Sequence, residues 1–101
     1  MKKILFALLV SLSLAAGAQN ATAQRCAKLG ELASSVMEAR QGGVPFTKMI
    51  ELAEGNKLVE AIVVEAFKIP RYSSEPYQRK AISDFVEKVE VTCYSSLKGT
   101  V

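Results

Sequence analysis

Apolar residues recur at intervals of three and four positions over most of the chain beyond its N-terminal region. This spacing gathers side chains on one face of an α-helix, whereas alternation at every second position would indicate a strand. The first predicted helix runs from about Gln24 to Gln41. Its apolar stripe comprises Cys26, Leu29, Leu32, Ala33, Val36 and Met37. Gly42 and Gly43 end it, because glycine readily adopts the left-handed conformation that closes helices.

The next two predicted helices are shorter. The second begins at Pro45, whose missing N–H suits a first helical turn. The third runs from Lys57 to Lys68, with Asn56 as its N-cap and Pro70 ending it. Its β-branched run 62–64 would also suit a buried strand. We favour a helix, because the segments on both sides have helical spacing and no second strand is visible to pair with it.

The fourth predicted helix begins near Ser74. Ser73 or Ser74 is its cap, Glu75 suits the positive end of the helix dipole, and Pro76 is tolerated in the first turn. Its apolar stripe comprises Ile82, Phe85, Val86, Val89 and Cys93. The chain therefore has four helical segments, and the first and last are the longest.

The two cysteines of the chain lie on the first and last helices. If these helices run antiparallel, Cys26 near the start of one meets Cys93 near the end of the other. Both cysteines are in phase with the apolar stripe of their helix, so they face the shared interface. A bridge between two chains is the less favoured alternative. The pattern predicts an all-α fold, a small four-segment helical bundle stapled by one disulfide.

The N-terminal region has the three parts of a secretory signal peptide. Lys2 and Lys3 supply positive charge, residues 4–14 form an apolar run, and Ala21-Thr22-Ala23 supplies the small residues before a cleavage site. We predict a signal peptide at residues 1–23.

Removal of this leader gives a single helical domain at residues 24–101. Cleavage before Gln19 is the alternative to cleavage before Gln24. The apolar run is shorter than the roughly 20 residues that a membrane span needs, so we expect no stable membrane anchor after cleavage. The short lysine-rich opening is typical of bacteria and predicts a periplasmic or secreted location, where disulfides persist.

The leader also changes the charge balance. The chain has 13 basic and 10 acidic residues, but cleavage removes Lys2 and Lys3 and no acid, so 11 basic residues face 10 acidic ones. The remaining charges are interspersed along the chain, whereas nucleic-acid binding requires a clustered basic surface. We therefore expect no nucleic-acid partner.

The residue inventory also limits the possible chemistry. The chain has no histidine, which removes the usual proton shuttle near neutral pH and every histidine metal site. Glu51 with Glu54, and Glu87 with Glu90, lie one helical turn apart, but such pairs on amphipathic helices are usually solvated. We predict no catalytic residues, no metal and no cofactor.

The segment 69–77 is the best candidate for a binding surface, because it combines arginine and tyrosine with two prolines that stiffen its backbone. The candidate binding residues are Arg71, Tyr72, Tyr77, Arg40 and Arg79. The alternative is structural: Tyr72 and Tyr77 would cover the core above the third helix, while Arg71 would pair with Glu75 or with a carbonyl at a helix C-terminus.

Three motifs and the cysteine near the C-terminus make this chain resemble a group of known proteins. They are Glu38-Ala39-Arg40-Gln41-x-Gly43-Val44-Pro45, Ala66-Phe67-x-x-Pro70-Arg71, Ala81-Ile82-x-x-Phe85 and Cys93. Together they resemble small uncharacterised exported proteins of proteobacteria and their phages. The resemblance implies an exported one-domain protein and assigns no site. In architecture alone the chain is also similar to the acid-stress chaperones of the periplasm.

These features favour a non-enzymatic protein that binds a protein partner, as an inhibitor, an immunity or exclusion factor, or an accessory subunit. The second hypothesis is a small periplasmic stress chaperone that exposes its apolar third helix in acid and associates weakly through Phe46, Val63 or Phe67. An enzyme with two converging carboxylates is the third. We expect a monomer or a weak homodimer.

The leader hypothesis has a direct test. The intact mass of the exported product should correspond to a chain that begins at Gln24 and has lost the two thiol hydrogens. A product that still begins at Met1 would contradict the predicted leader, and one that begins at Gln19 would move the cleavage site.

Overall fold

The computed structural model describes residues 21–99, with side chains as far as Leu97. These residues form four α-helices and no strand: α1 (Ala21–Gln41), α2 (Phe46–Leu52), α3 (Lys57–Phe67) and α4 (Glu75–Gly99). The all-α prediction is confirmed, and the β-branched run of α3 is helical. No helix within this part of the chain is long and apolar enough to cross a membrane. Most of the predicted leader, residues 1–20, lies outside the described residues.

Two helix starts differ from the prediction. α1 begins at Ala21, so it includes the last three residues of the predicted leader. Pro45 lies just before α2 with extended geometry, φ −66° and ψ 151°, rather than in its first turn. The Pro45 carbonyl accepts a hydrogen bond from the Met49 N–H at 3.1 Å. Pro45 therefore acts as the N-cap, a position where the backbone is not yet helical.

The turn before α3 follows the predicted chemistry. Glu54 and Gly55 both have positive φ, at 51° and 79°, which reverses the chain after α2. The Asn56 side-chain oxygen then accepts hydrogen bonds from the N–H groups of Leu58 and Val59, at 3.0 and 3.1 Å. These bonds satisfy two of the backbone donors that a helix start leaves without a partner. Asn56 is thus confirmed as the N-cap of α3.

α1 and α4 form the most extensive helix contact among the described residues, and they run in antiparallel directions. Cys26 and Cys93 form a disulfide at one end of this pair, with their Cα atoms 5.6 Å apart. Cys26 is 3% exposed, so the bridge is part of the helix interface. The predicted disulfide and the antiparallel arrangement are both confirmed.

The core lies where α2 and α3 cover the α1 and α4 pair. All four helices contribute buried apolar residues: Ala33, Val36, Met37, Met49, Ile62, Val63, Ala66, Ala81 and Phe85. The largest side chains with almost no exposure are Met37, Val63 and Phe85. α3 also contacts α1 directly, and α2 contacts α3, so the two short helices form a second layer.

Gly30 marks the close approach of α1 and α4. A glycine inside a helix costs roughly 1 kcal/mol relative to alanine. Here a Cβ atom at residue 30 would lie only 2.6 Å from the Glu90 carboxylate oxygen Oε2. The missing side chain makes room for Glu90 next to the α1 backbone.

The disulfide should supply a large part of the stability of this domain. Changing both cysteines to serine frees a loop with a sequence separation of 67 residues, so we expect the free energy of unfolding to fall by about 4 kcal/mol. Chemical denaturation of oxidised protein and of the Cys26→Ser/Cys93→Ser variant measures the difference. A reductant should destabilise the parent protein to the same extent and leave the variant unchanged. Equal midpoints for parent and variant would show that the helix interface alone holds the fold.

Candidate functional site

The connection between α3 and α4 is held against the end of α1 by the side chain of Gln41. This residue is 3% exposed and is the one buried polar side chain among the described residues. Its amide nitrogen donates to the Pro70 carbonyl at 2.9 Å, and its amide oxygen accepts from the Tyr72 N–H at 2.8 Å. Both ends of the amide are therefore bonded to the same strip of backbone, which fixes that strip on α1.

Arg71 lies between these two bonds and points back to the same helix end. Its Nε donates to the Gln41 carbonyl at 3.0 Å, one of the carbonyls that a helix C-terminus leaves without a partner. The guanidinium passes close to Gly43, where a Cβ atom would lie 2.9 Å from Cζ. Gly43 also has a φ of 93°, so both its conformation and its neighbour favour glycine.

Arg40 fixes the start of the same connection. Its Nε donates to the Ile69 carbonyl at 3.2 Å, and its Cζ lies 4.6 Å from the centre of the Phe67 ring. Phe67 in turn meets Phe46 edge to face, with ring centres 5.3 Å apart. Arg40 therefore joins the end of α1 to the end of α3, and its half-buried side chain has a supporting place in the structure.

Tyr72 on the connection and Tyr77 in the first turn of α4 lie side by side on the surface. Their ring centres are 6.0 Å apart, and the exposed fraction is 37% for Tyr72 and 63% for Tyr77. The Tyr72 carbonyl accepts from the Gln78 side-chain amide at 2.7 Å, which ties the segment to α4. A cleft of about 460 Å³ lies between residues 68–72 and the first turns of α4. Both tyrosines line it, and Ile69, Pro70 and Ala81 contribute apolar lining.

Two ion pairs run along α4 near the cleft. Arg79 Nη1 lies 2.7 Å from Glu75 Oε1, and Lys80 Nζ lies 2.7 Å from Asp84 Oδ2. The hydrogen bond to Asp84, and then its negative charge, raise the pKa of Lys80 above its ordinary value. Arg71 differs: within the described part of the chain, no carboxylate forms an ion pair with it.

The structure thus divides the five candidate binding residues. It brings the rings of Tyr72 and Tyr77 together and turns the side chain of Arg71 towards the end of α1. Arg40 supports the 69–77 segment from α1, and Arg79 is held along α4 by Glu75. The structural alternative holds for Arg71, which bonds a helix C-terminal carbonyl. That alternative also expected Tyr77 to cover the core, but its ring is mostly exposed.

Sequence reasoning missed Gln41, the residue that organises the segment. A glutamine at the end of a helix is usually solvated, so its residue type gave no signal. Its position does indicate a buried role, because Ala33, Met37 and Gln41 are four residues apart and continue one buried row along α1. A polar residue in phase with a core stripe is a candidate for a buried hydrogen-bonding role.

A second surface, the α3–α4 groove, opens between α3 and the C-terminal half of α4. It has a volume of about 500 Å³, and its apolar lining includes Leu29, Leu58, Ala61, Ile62, Phe85 and Val89. Glu65 on α3 and Lys88 on α4 also line it, with Nζ and Oε2 3.5 Å apart. Lys68 donates to Glu65 Oε1 at 2.7 Å. The pKa of Glu65 is lowered from its ordinary value. The hydrogen bond from Lys68 and the charge of Lys68 lower it most, and Lys88 lowers it less. Partial desolvation of the carboxylate acts in the opposite direction and raises it.

The acidic residues form no site that the geometry singles out. Glu51 is exposed and lies 3.9 Å from Lys48, and Glu90 packs over Gly30. No group of three or more potential metal ligands comes together among residues 21–99. Comparison with known proteins finds no matching family model, no matching curated protein and no matching solved structure.

Gln41→Leu should free the 69–77 segment while the helices stay folded. The Pro70 carbonyl and the Tyr72 N–H would lose their partner, so we expect a loss of about 2 kcal/mol of unfolding free energy. Hydrogen exchange at the Tyr72 amide should become much faster than at core amides of α1. Gln78→Leu removes an exposed bond to the same residue and should change stability little. Unchanged exchange at Tyr72 in Gln41→Leu would show that the segment is ordered by other contacts.

Proposed function

We propose that this chain is an exported, non-enzymatic protein that binds a protein partner through its 69–77 segment, in the manner of an inhibitor, an immunity or exclusion factor, or an accessory subunit. The observation that carries the proposal is the contrast within the segment. Its backbone is fixed to α1 by Gln41 and Arg71, while the rings of Tyr72 and Tyr77 are exposed side by side.

The fixed backbone favours binding on energetic grounds. Ordering a loop on association costs free energy that a partner contact must offset. In this segment the order is already present in the free protein, because both ends of the Gln41 amide hold it. Tyrosine adds large contact area with few rotatable bonds, which is why it is enriched among residues that dominate interface energies.

The charge of Arg71 supports a partner with an acidic residue at the contact. Arginine has five N–H donors, and its Nε is the one that bonds the Gln41 carbonyl. That bond fixes the direction of the guanidinium, and no carboxylate of the described chain pairs with it. A partner carboxylate at the end of α1, where the guanidinium lies against Gly43, would complete the charge pairing and set the orientation of the complex.

The proposed location outside the cytoplasm agrees with the disulfide. Disulfides persist in oxidising compartments and are rare in the cytosol, and the Cys26 and Cys93 bridge is built into the central helix pair. The leader proposed for residues 1–23 would deliver the chain there. A stapled domain suits an exported binding protein, since it keeps a small fold intact outside the cell.

A stress chaperone is the second candidate, and the Glu65 ion pairs favour it. Glu65 joins α3 to α4 through Lys88 at the edge of an apolar groove, so its protonation in acid would loosen α3 and expose apolar surface. Val63, one of the residues we expected to mediate self-association, is fully buried, whereas Phe46 is 40% exposed. Of the expected contacts, Val63 is available only if α3 moves.

A site-specific crosslinking experiment tests the proposed binding surface. A photoreactive phenylalanine analogue in place of Tyr77 should crosslink to one specific protein in the periplasm. The same analogue in place of Tyr94, an exposed tyrosine near the other end of α4, is the matched control and should not give this product. Adding Tyr72→Ala should reduce the yield at residue 77 by roughly tenfold, as for residues that dominate an interface. Crosslinks from residue 94 alone would place the binding surface elsewhere, and none from either would contradict a protein partner.

The acid response of Glu65 tests the second candidate. A carboxylate whose pKa is lowered by folding stabilises the fold above its unfolded pKa, and this contribution is lost as pH falls through the folded value. Glu65→Gln should therefore be less stable than the parent at neutral pH, and this difference should shrink as pH falls below the ordinary glutamate pKa and through the lower folded pKa of Glu65. Denaturation midpoints across this range measure the difference, with Glu31→Gln as the control on an exposed pair within α1. A chaperone role also requires that Glu65→Gln binds more apolar dye at neutral pH, and unchanged dye binding would argue against it.

A further inference from the structure

The rings of Tyr72 and Tyr77 place two phenols next to each other on the surface of the protein. Their centres are 6.0 Å apart and their planes are inclined by 35°. Both side chains are exposed, so neither ring is held inside the core. Exposed side chains rotate on a timescale of picoseconds to nanoseconds. A small rotation of either side chain therefore brings the edges of the two rings into contact.

The backbone keeps the two rings adjacent in the free protein. The Tyr72 N–H donates to the buried amide oxygen of Gln41 at 2.8 Å, which ties this residue to α1. The Tyr72 carbonyl accepts from the side chain of Gln78 at 2.7 Å, and Gln78 follows Tyr77 directly on α4. Tyr72 is therefore fixed on both sides, and one of the two bonds comes from the residue next to its neighbouring tyrosine.

The rest of the chain offers few side chains that compete with these phenols for an oxidant. The sequence contains no tryptophan. Both cysteines are joined in the disulfide, so no thiol is present to be oxidised. Met37 and Met49 are buried and are shielded from an oxidant in solution, and Met1 lies outside the described residues. Tyrosine is thus the main oxidisable side chain on the described surface.

Tyr94 completes the set of three tyrosines, and its position sets it apart from the pair. It is exposed, but it lies nearly five helical turns beyond Tyr77 on the same helix, a distance of about 25 Å along the axis. Neither ring of the pair can reach Tyr94 across that distance. Coupling of tyrosines within one copy of the folded chain can therefore join only Tyr72 to Tyr77.

We propose that Tyr72 and Tyr77 are a site of oxidative crosslinking, at which a haem peroxidase supplied with hydrogen peroxide, or another one-electron oxidant, joins the two rings as dityrosine. Each phenol loses one electron and one proton, and the two phenoxyl radicals form a carbon–carbon bond between their ortho positions. The hydrogens on these ortho carbons then move to the phenol oxygens. Hydrogen peroxide accepts the two electrons and the two protons and is reduced to two molecules of water.

This crosslink changes the surface that we propose for partner binding. The new bond links the connection covalently to the first turn of α4 and makes one rigid unit of the two rings. A partner that recognises two separate rings would meet a different shape, so oxidation would control binding at this surface. The coupling itself needs no partner protein, and it can therefore be tested separately from the proposed function.

Peroxidase treatment of the disulfide-bonded, full-length chain tests the site. The protein is treated in dilute solution with a haem peroxidase and hydrogen peroxide. The monomeric product should lose the mass of two hydrogen atoms and gain the fluorescence of dityrosine. Trypsin cuts after Arg71 and Arg79, so both tyrosines lie in one peptide, 72–79. The loss of two hydrogen atoms should be found in that peptide.

Variants identify the rings and the role of the fixed backbone. Tyr72→Phe and Tyr77→Phe should each abolish the crosslink within one copy, whereas Tyr94→Phe is the matched control and should leave the yield unchanged. Gln41→Leu removes the bond that holds the Tyr72 backbone on α1 and should lower the yield severalfold. Circular dichroism confirms that each variant folds before its yield is compared with that of the parent.

Three results would overturn the proposal. The first is a parent chain that keeps both hydrogen atoms after treatment. The second is a product made mainly of crosslinked dimers, because the rings then couple between copies. The third is a crosslink within one copy that survives Tyr77→Phe, because the joined residues then lie elsewhere. An unchanged yield in folded Gln41→Leu would overturn the role of the fixed backbone in bringing the rings together.

Discussion

The antiparallel contact between α1 and α4 determines the rest of this structure, and it is fixed at both ends. At one end the disulfide of Cys26 and Cys93 joins the helices covalently. At the other end Gln41 holds the chain that leads into α4 through two hydrogen bonds. Few large side chains are fully buried between these points. A domain of this size has little core to hold such helices in register, so the fixed ends make up for it.

The hydrogen bonds at the Gln41 end of the helix pair also shape the proposed binding surface. The bonds that position α4 are made to residues 70–72, which lie next to the exposed tyrosines. The Gln41 carbonyl, left without a partner by the helix end, is satisfied by Arg71, and this orients the guanidinium. The same contacts therefore stabilise the fold and set the geometry of the proposed binding surface. A change at Gln41 would affect stability and binding together.

The sequence was sufficient for the helices and the disulfide but insufficient for the contacts that organise the site. Apolar spacing identified all four helices, although α2 buries only Met49, and the phase of Cys26 and Cys93 indicated that they meet. Pro45 was misplaced by one position, because the same residue type suits an N-cap and a first turn. Gln41 was missed, because its partners are backbone atoms about thirty residues away. The spacing from Ala33 and Met37 places Gln41 in a buried row, but it does not indicate which distant backbone atoms the amide bonds.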